Sequence, residues 1–160
     1  GKVTTLVHQG AIDVLGPVVA PQTVHQAKFS MGTTLGLIAA YGKAGLVEFD
    51  EGFARPEIVE FRRRVEMVLD PEVDAAYPAR WIGKVRVATA DGRTVEARVD
   101  EPKGDPGNTL SRAEIDDKVR GLARFSSAAS PGEMDALLPR LWSLTRSNRV
   151  GPLLGGGAAD

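Results

Sequence analysis

The stretch HQAKFSMGTTLGLIAAYG, residues 25–42, contains the polar side chains whose types and spacing best suit chemistry. His25 can exchange a proton near neutral pH, and the ammonium group of Lys28 can pair with a carboxylate. Both side chains precede an apolar run that is typical of a buried helix. His25 and Lys28 are therefore a candidate active-site pair. The alternative interpretation is that they are exposed loop residues without a catalytic role.

Two other segments contain residue types that bind anions. The run Arg62–Arg64 could hold a polycarboxylate, because guanidinium groups bind carboxylates through paired hydrogen bonds. A solvated helix face is the interpretation that we favour for this run. The segment PKGDPGN, residues 102–108, could cradle a phosphate through its backbone amides, but its composition is more typical of a structural turn. We find no nucleotide-binding loop, paired-histidine metal motif or nucleophile elbow.

Composition excludes several classes of function. The 160 residues include no cysteine and only two histidines, so thiolate chemistry and zinc or iron sites are not expected. A net charge of −1 gives no reason to expect nucleic acid as a partner. Glycines interrupt the longest apolar stretch, so we expect no membrane span. Because no signal peptide is visible, we expect a cytoplasmic protein.

The helix that must position the candidate residues is well marked at both ends. Ser30 is a favourable N-cap for a helix over residues 31–41, and Gly42 is a favourable terminating residue. Gly32 and Gly36 lower helix propensity, which predicts that another backbone approaches this helix closely. Apolar or small residues on every side predict a helix that is buried all round.

The segments on either side of this helix predict two strands and one more helix. Residues 3–7 are rich in β-branched side chains and predict a strand, whereas residues 9–24 predict an extended, turning connection. Pro56 is suited to the first turn of a helix, and VEMVLD, residues 65–70, predicts a short strand. Helical spacing also places Ile58, Phe61 and Val65 on one face of the helix that begins at Pro56.

The segment WIGKVRVATADGRTVEARVD, residues 81–100, predicts a β-hairpin. A two-residue Asp-Gly turn would pair Val87 with Glu96 and mix apolar and charged side chains on one face. A three-residue loop that ends at Gly92 instead pairs Val87 with Val95. Since the buried face determines the register, we predict the three-residue loop, with Gly92 in the left-handed conformation.

Two helices are predicted after the hairpin. Ser111 with Glu114, and Ser130 with Glu133, form capping boxes that mark the two helix starts. Pro139 is expected to kink or divide the second helix. The apolar stripe of these helices predicts association with another surface and comprises Ile115, Val119, Leu122, Leu137, Leu138, Leu141 and Leu144. The last ten residues, GPLLGGGAAD, are expected to fray.

The order of these motifs resembles the C-terminal part of the MmgE/PrpD family. The resemblance rests on HQAKFSMGTTLGLIAAYGKAGL, on the proline-started helix, and on KVRVATADGRTVEARVDEPKGDPGNTLSRAEIDDKVRGLA. Its most specific part is the DGR motif followed by PKGDPGN and LS-x-x-E. The family includes 2-methylcitrate dehydratase, cis-aconitate decarboxylase and iminodisuccinate epimerase.

The resemblance implies an α+β fold with two parts. Residues 1–108 correspond to the lid-type domain of the family, with an antiparallel hairpin and packed helices. Residues 109–160 correspond to a C-terminal helical segment that packs on the family's N-terminal helical domain. That helical domain is therefore an expected partner, and a homo-oligomer is expected as well.

The resemblance also implies an activity, namely that of a lyase acting on a small di- or tricarboxylic acid such as 2-methylcitrate, without a metal or organic cofactor. Epimerase, isomerase or decarboxylase activity is the alternative among enzymes, and a non-catalytic interaction domain is the alternative outside them. Some members have an active-site tyrosine where this chain has Thr33, which argues against the decarboxylase. The candidate substrate-binding residues are His25, Lys28 and Thr33.

Overall fold

A mixed four-stranded sheet and eight α-helices form residues 1–148, the part of the chain that the computed structural model describes. The chain divides into two compact units, residues 1–109 and residues 110 onward. The first unit contains β1 (Lys2–Val7), α1 (Gln9–Leu15), α2 (Val24–Lys28), α3 (Met31–Tyr41), α4 (Leu46–Gly52), α5 (Pro56–Arg62), β2 (Val65–Leu69), α6 (Pro71–Ala76), β3 (Gly83–Ala88) and β4 (Thr94–Val99). The second contains α7 (Arg112–Ser126), α8 (Pro131–Trp142) and a short 3₁₀ turn (Leu144–Arg146).

The sheet has the strand order β2-β1-β3-β4. Strand β1 runs parallel to β2, with Val3 opposite Val65, and antiparallel to β3, with Val3 opposite Val87. The five helices α1–α5 lie in the crossover between the two parallel strands. The α+β class and the strands predicted over residues 3–7 and 65–70 are confirmed.

The core of the first unit lies among the crossover helices and contains Ala27, Leu37, Phe49 and Ile58. Helices α3 and α5 approach each other closely. A Cβ atom placed on Gly32 would lie 2.8 Å from Cβ of Arg62 and 3.0 Å from its carbonyl oxygen. The close backbone approach predicted from this glycine is confirmed. The helix boundaries set by Ser30 and the left-handed residue Gly42 are confirmed as well.

Strands β3 and β4 form the predicted hairpin. Val87 lies opposite Val95, and Gly92 has a φ of +84°. The N–H of Thr89 donates to the carbonyl of Arg93 at 2.9 Å, and the N–H of Gly92 donates to the carbonyl of Thr89 at 3.2 Å. These bonds close a three-residue loop, as the apolar register predicted.

The prediction of an extended connection over residues 9–24 was wrong, because residues 9–15 form α1. The cap of this helix is His8, whose Nδ1 accepts from the N–H of Ala11 at 3.2 Å. Histidine is not among the residues that usually mark a helix start, and the prolines of this segment lie after the helix has ended. Thr23 caps the short helix α2, which the sequence did not predict either.

Two predictions about packing faces also need correction. Helix α3 is buried only on the side of Thr33, Gly36 and Leu37, whereas Ile38 and Tyr41 near its C-terminus are exposed. It is therefore not buried all round, although its composition is almost entirely apolar or small. The face predicted for Ile58, Phe61 and Val65 does not exist, because α5 ends at Arg62 and Val65 lies in strand β2.

In the second unit both predicted capping boxes are present, at Ser111 and Ser130. Pro139 lies inside α8 without dividing it. Helices α7 and α8 pack through a buried cluster of Ala123, Met134 and Leu138, while Leu122, Phe125 and Leu141 are exposed. The predicted fraying of the last ten residues lies outside the described part of the chain. None of the helices within residues 1–148 is long and apolar enough to cross a membrane.

Candidate functional site

His25 and Lys28 lie on the exposed side of the short helix α2, whose Ala27 is buried in the core. Thr23 caps α2 by accepting the N–H of Gln26 at 3.2 Å, which fixes the start of the helix. His25 and Lys28 are three residues apart and therefore lie on neighbouring positions of the helix surface. Both side chains are exposed, and the imidazole ring of His25 lies 5.2 Å from the ring of Phe29. The structure thus places these two candidates side by side in solvent.

Thr33 lies in different surroundings from the other two candidates. It is fully buried, and its hydroxyl donates to Oγ of Ser30 at 3.0 Å. Oγ of Ser30 also accepts the N–H of Thr33 at 3.4 Å, so the two side chains fix the first turn of α3 together. In this structure the Thr33 hydroxyl is not accessible to a substrate. Its contact with a substrate stays a prediction.

A cavity of about 290 Å³ lies next to the start of α3. Ser30, Met31 and Gly32 line one side of it, and Arg62 of α5 lies at the cavity as well. None of the three candidate residues lines this cavity. Its remaining walls are largely apolar and come from Ile12, Leu15, Gly16, Val18, Val19, Val65, Glu66 and Met67.

The cavity combines two positive features. The N–H groups of Met31 and Gly32 belong to the first turn of α3, where backbone donors have no intrahelical acceptor. The aligned peptide dipoles add partial positive charge at this end of an eleven-residue helix. Arg62, which is half-buried, lines the same cavity and is the cationic residue among its lining residues. An apolar cavity with these donors suits a small molecule that carries a carboxylate.

The three consecutive arginines separate into two kinds. Arg63 and Arg64 are exposed and form ion pairs with Glu60 at 3.3 and 3.2 Å. The favoured interpretation of a solvated helix face describes these two arginines. Arg62 differs because it lines the cavity. The sequence does contain a signal for this difference, since Glu60 is three and four residues before Arg63 and Arg64 but only two before Arg62.

A second group of charged side chains lies where the start of α6 meets strands β3 and β4. We call Asp70, Glu72, Lys84, Arg98 and Asp100 the charged cluster. Nζ of Lys84 is 2.9 Å from Asp70 and 2.6 Å from Glu72, and Nη2 of Arg98 is 2.8 Å from Glu72. Arg98 and then Lys84 lower the pKa of Glu72 to about 2. Lys84 likewise holds the pKa of Asp70 below its ordinary value.

The charged cluster is poorly suited to an anionic substrate, although it borders a depression of about 340 Å³. Its two cations already pair with three carboxylates. A polycarboxylate would have to displace these internal partners. Arg62 forms no ion pair within residues 1–148, and Glu66, the carboxylate in the wall of its cavity, already pairs with Lys2 at 2.6 Å. The cavity at Arg62 is therefore the better candidate.

His8, the other histidine of the chain, has a structural role that the sequence did not indicate. His8 caps α1 and stacks on Tyr77, with ring centroids 3.9 Å apart and planes inclined by 6°. Trp81 meets the same ring edge-on at 5.8 Å. Within residues 1–148, no three His, Asp or Glu side chains are grouped so that they could hold a metal ion.

Most of the chain is similar to a known protein family. The model of the MmgE/PrpD C-terminal domain matches residues 1–144. No curated protein matches the chain. The match includes the cavity, the candidate residues on α2 and α3, and the charged cluster.

Proposed function

The chain belongs to the MmgE/PrpD family, and from this premise we propose that it is the C-terminal part of a lyase. The proposed substrate is a small di- or tricarboxylic acid such as 2-methylcitrate, from which the enzyme removes water. The observation that carries the proposal is the family match over residues 1–144, which includes Phe29 and Ser30 at the start of α3. The cavity beside Arg62 supports it, because its donors suit a carboxylate.

The proposed reaction is a proton abstraction followed by loss of hydroxide. A base removes the proton α to a carboxylate, and the electron pair of that C–H bond forms the C=C double bond. The C–O bond at the β carbon breaks, and the leaving hydroxide takes up a proton and departs as water. Cationic groups stabilise the charge that develops on the carboxylate during the first step. In this proposal Arg62 holds one carboxylate of the substrate.

The residues of α2 and α3 have separate roles in the proposal. Lys28 binds a second carboxylate, and His25 moves a proton, at the surface that faces the family's helical domain. Thr33 acts through Ser30, since its hydroxyl bonds to the residue that starts α3 and lines the cavity. The proposed chemistry needs no metal or organic cofactor, because the base and the cationic groups suffice for it.

Epimerisation is the second candidate reaction, because it begins with the same proton abstraction. Decarboxylation is less favoured, because some family members have a tyrosine where this chain has Thr33, and an aliphatic hydroxyl cannot do the acid work of a phenol. Outside enzymes, the alternative is an interaction domain that completes a separate helical part. The exposed apolar residues Leu122, Phe125 and Leu141 are compatible with that alternative.

Binding of a tricarboxylate to the chain tests the proposed site directly. We expect citrate to raise the melting temperature, because a ligand that binds only the folded state stabilises it by about 2.7 kcal/mol at 100 times its Kd. Arg62→Gln should weaken citrate binding, measured by titration calorimetry, by about tenfold, as expected for the loss of a charge-assisted hydrogen bond. Arg63→Gln on the same helix is the matched control, because Arg63 does not line the cavity. Equal losses in both variants, or no citrate binding at all, would contradict the assignment of the cavity.

A further inference from the structure

Strand β4 is an exposed edge of the sheet. It pairs with β3 on one side, and no strand within residues 1–148 pairs with its other side. All six of its residues are exposed, including Val95 at 55% and Val99 at 51%. An uncovered edge of this kind is a template for pairing with another strand, and proteins commonly protect it with lysine, proline or a bulge. Strand β4 contains neither lysine nor proline, and its two charged residues, Glu96 and Arg98, have opposite signs and can therefore attract a second copy of the strand.

The hairpin determines which backbone groups of β4 face outward. Thr89 and Arg93 are a hydrogen-bonded pair, and hydrogen-bonded and non-bonded pairs alternate along an antiparallel ladder. Val95 and Ala97 therefore direct their N–H and C=O groups toward β3. Glu96 and Arg98 direct theirs toward the free edge. A strand that adds to this edge must bond to these outward groups.

One antiparallel register makes β4 complementary to itself. If Ala97 lies opposite Ala97 of a second copy, Glu96 lies opposite Arg98 and Val95 lies opposite Val99, each twice because of the two-fold symmetry. Shifting the register by two positions places either Glu96 opposite Glu96 or Arg98 opposite Arg98. Like charges directly opposite each other destabilise a sheet, whereas opposite charges and apolar pairs stabilise it. The outward backbone groups of Glu96 and Arg98 also meet in this register, as a ladder requires.

We propose that β4 pairs with β4 of a second copy of this chain, in an antiparallel register centred on Ala97. The two four-stranded sheets then join into one eight-stranded sheet with a two-fold axis at Ala97. The interface is isologous, so that the same patch serves both copies. The two copies of Val95 and Val99 form one apolar stripe on one face, and the two Glu96–Arg98 pairs lie on the other.

The ion pairs within one copy leave room for the new ones. Glu96 accepts from Arg86 through Oε1, at 2.5 Å from Nε. Arg98 has five N–H donors, and four of them are engaged with Glu72 and Asp100. The remaining donor, on Nη1, can bond to Glu96 of the second copy. The proposed dimer therefore adds charge-assisted bonds without breaking those already present.

Charge reversal in trans tests the register. Glu96→Arg alone puts two arginines opposite each other, and Arg98→Glu alone puts two glutamates opposite each other. Each variant should weaken the dimer by about tenfold in Kd, as measured by sedimentation equilibrium. Mixing the two variants should restore the dimer, because every pair in the mixed dimer is again of opposite charge. A mixture that associates no better than either variant alone would overturn the register.

Cysteine cross-linking tests the same register without removing any charge. The chain has no cysteine, so Ala97→Cys introduces a single thiol at the proposed axis. A non-bonded antiparallel pair has Cα atoms about 4.5 Å apart, which suits a disulfide. Ala97→Cys should form a covalent dimer under mild oxidation.

Val95→Cys and Val99→Cys are the matched controls on the same strand. In the proposed register the two copies of residue 95 are four positions out of line, about 13 Å apart, and cannot be linked. Neither variant should link to itself, but a mixture of the two should link. Equal cross-linking of all three single variants would overturn the register. A wild-type chain that stays monomeric in sedimentation equilibrium would contradict the proposal that β4 pairs with a second copy of itself.

Discussion

Gly32 shows how a single residue determines the packing beside the candidate site. Its missing side chain lets α3 approach the backbone of α5 at Arg62, and the same two residues then line the cavity. The close approach and the position of Arg62 at the cavity have one cause. A glycine that lowers helix propensity therefore positions Arg62, the residue proposed to bind a carboxylate.

Gly32→Ala should destabilise the first unit by about 1–3 kcal/mol, because the added methyl group overlaps backbone atoms of Arg62 rather than a movable side-chain end. Urea denaturation followed by circular dichroism measures the change in the free energy of unfolding. Gly121→Ala in α7 is the control, since a Cβ atom there meets nothing within 4 Å. It should be neutral or stabilise the helix by about 1 kcal/mol. A neutral Gly32→Ala would mean that α3 and α5 are not held in close contact.

The charged cluster makes stability depend on acid pH through Glu72. Its pKa of about 2 in the folded protein lies below the ordinary value of 4.5, because Arg98 and Lys84 favour the ionised form. A lowered pKa gives a stabilising contribution that is complete above pH 4.5 and is lost as the pH falls toward 2. Between these values the wild-type protein should lose more stability than Glu72→Gln.

Melting temperatures measured from pH 7 to pH 2.5 check this expectation. The difference between wild type and Glu72→Gln should be largest above pH 4.5 and should shrink below it. Glu51→Gln is the control, because Glu51 is exposed and its carboxylate forms no ion pair within residues 1–148. A constant difference across the whole range would show that the ion pairs of Glu72 do not contribute.

At the scale of the elements, the sequence predicted those whose signals are local and strong. The capping boxes at Ser111 and Ser130 predicted α7 and α8, and the apolar register predicted the hairpin loop. Helices α1, α2, α4 and α6 were not predicted, because each has only five to seven residues and depends on tertiary packing for its stability. Tertiary packing also decides the position of Val65. Helical spacing assigned this residue to the face of α5, but it pairs with β1 as part of β2.

The candidate site was predicted only in part, for a related reason. The sequence pointed to the start of α3, which lies beside the cavity. The position of Glu60 separates Arg63 and Arg64 from Arg62, but only the packing of α3 on α5 places Arg62 at the cavity. Burial of Thr33 likewise follows from contacts between elements. Apolar spacing within one helix indicates a face, not the residue that will lie against that face.

The hairpin loop gives a prediction at this same scale. Gly92→Val should destabilise the first unit by about 1 kcal/mol or more, because a β-branched residue is strained at a φ of +84°. Gly92→Asn is the matched variant and should cost less, since asparagine tolerates the left-handed region. Chemical denaturation measures the free energy of unfolding of both variants. Because a Cβ atom at this position meets nothing within 4 Å, a steric clash cannot explain a loss, and the difference between the variants reports backbone strain. Equal losses would contradict strain as the cause.

At the scale of the whole molecule, the proposed activity depends on a partner. In the proposal the remaining acid and base groups come from the family's helical domain, so the 160-residue chain alone should not dehydrate 2-methylcitrate above background. Addition of a helical domain from the family should produce activity if the two parts assemble. An assay of product formation with the chain, the helical domain and both together provides the comparison. Turnover by the chain alone, with contaminating enzyme excluded, would place the whole catalytic machinery within these residues.

The position of β1 in the sheet has a consequence for synthesis on the ribosome. This strand joins β2 to the hairpin, yet Val3 pairs with Val65 and Val87, which are 62 and 84 residues further along the chain. At a translation rate of about 5–20 residues per second, β1 waits roughly 3–12 s for its first partner. The hairpin, by contrast, pairs as soon as it emerges. The nascent chain thus presents an unpaired strand that contains Val3 and Val7 throughout that interval, and an unpaired strand of this kind favours aggregation.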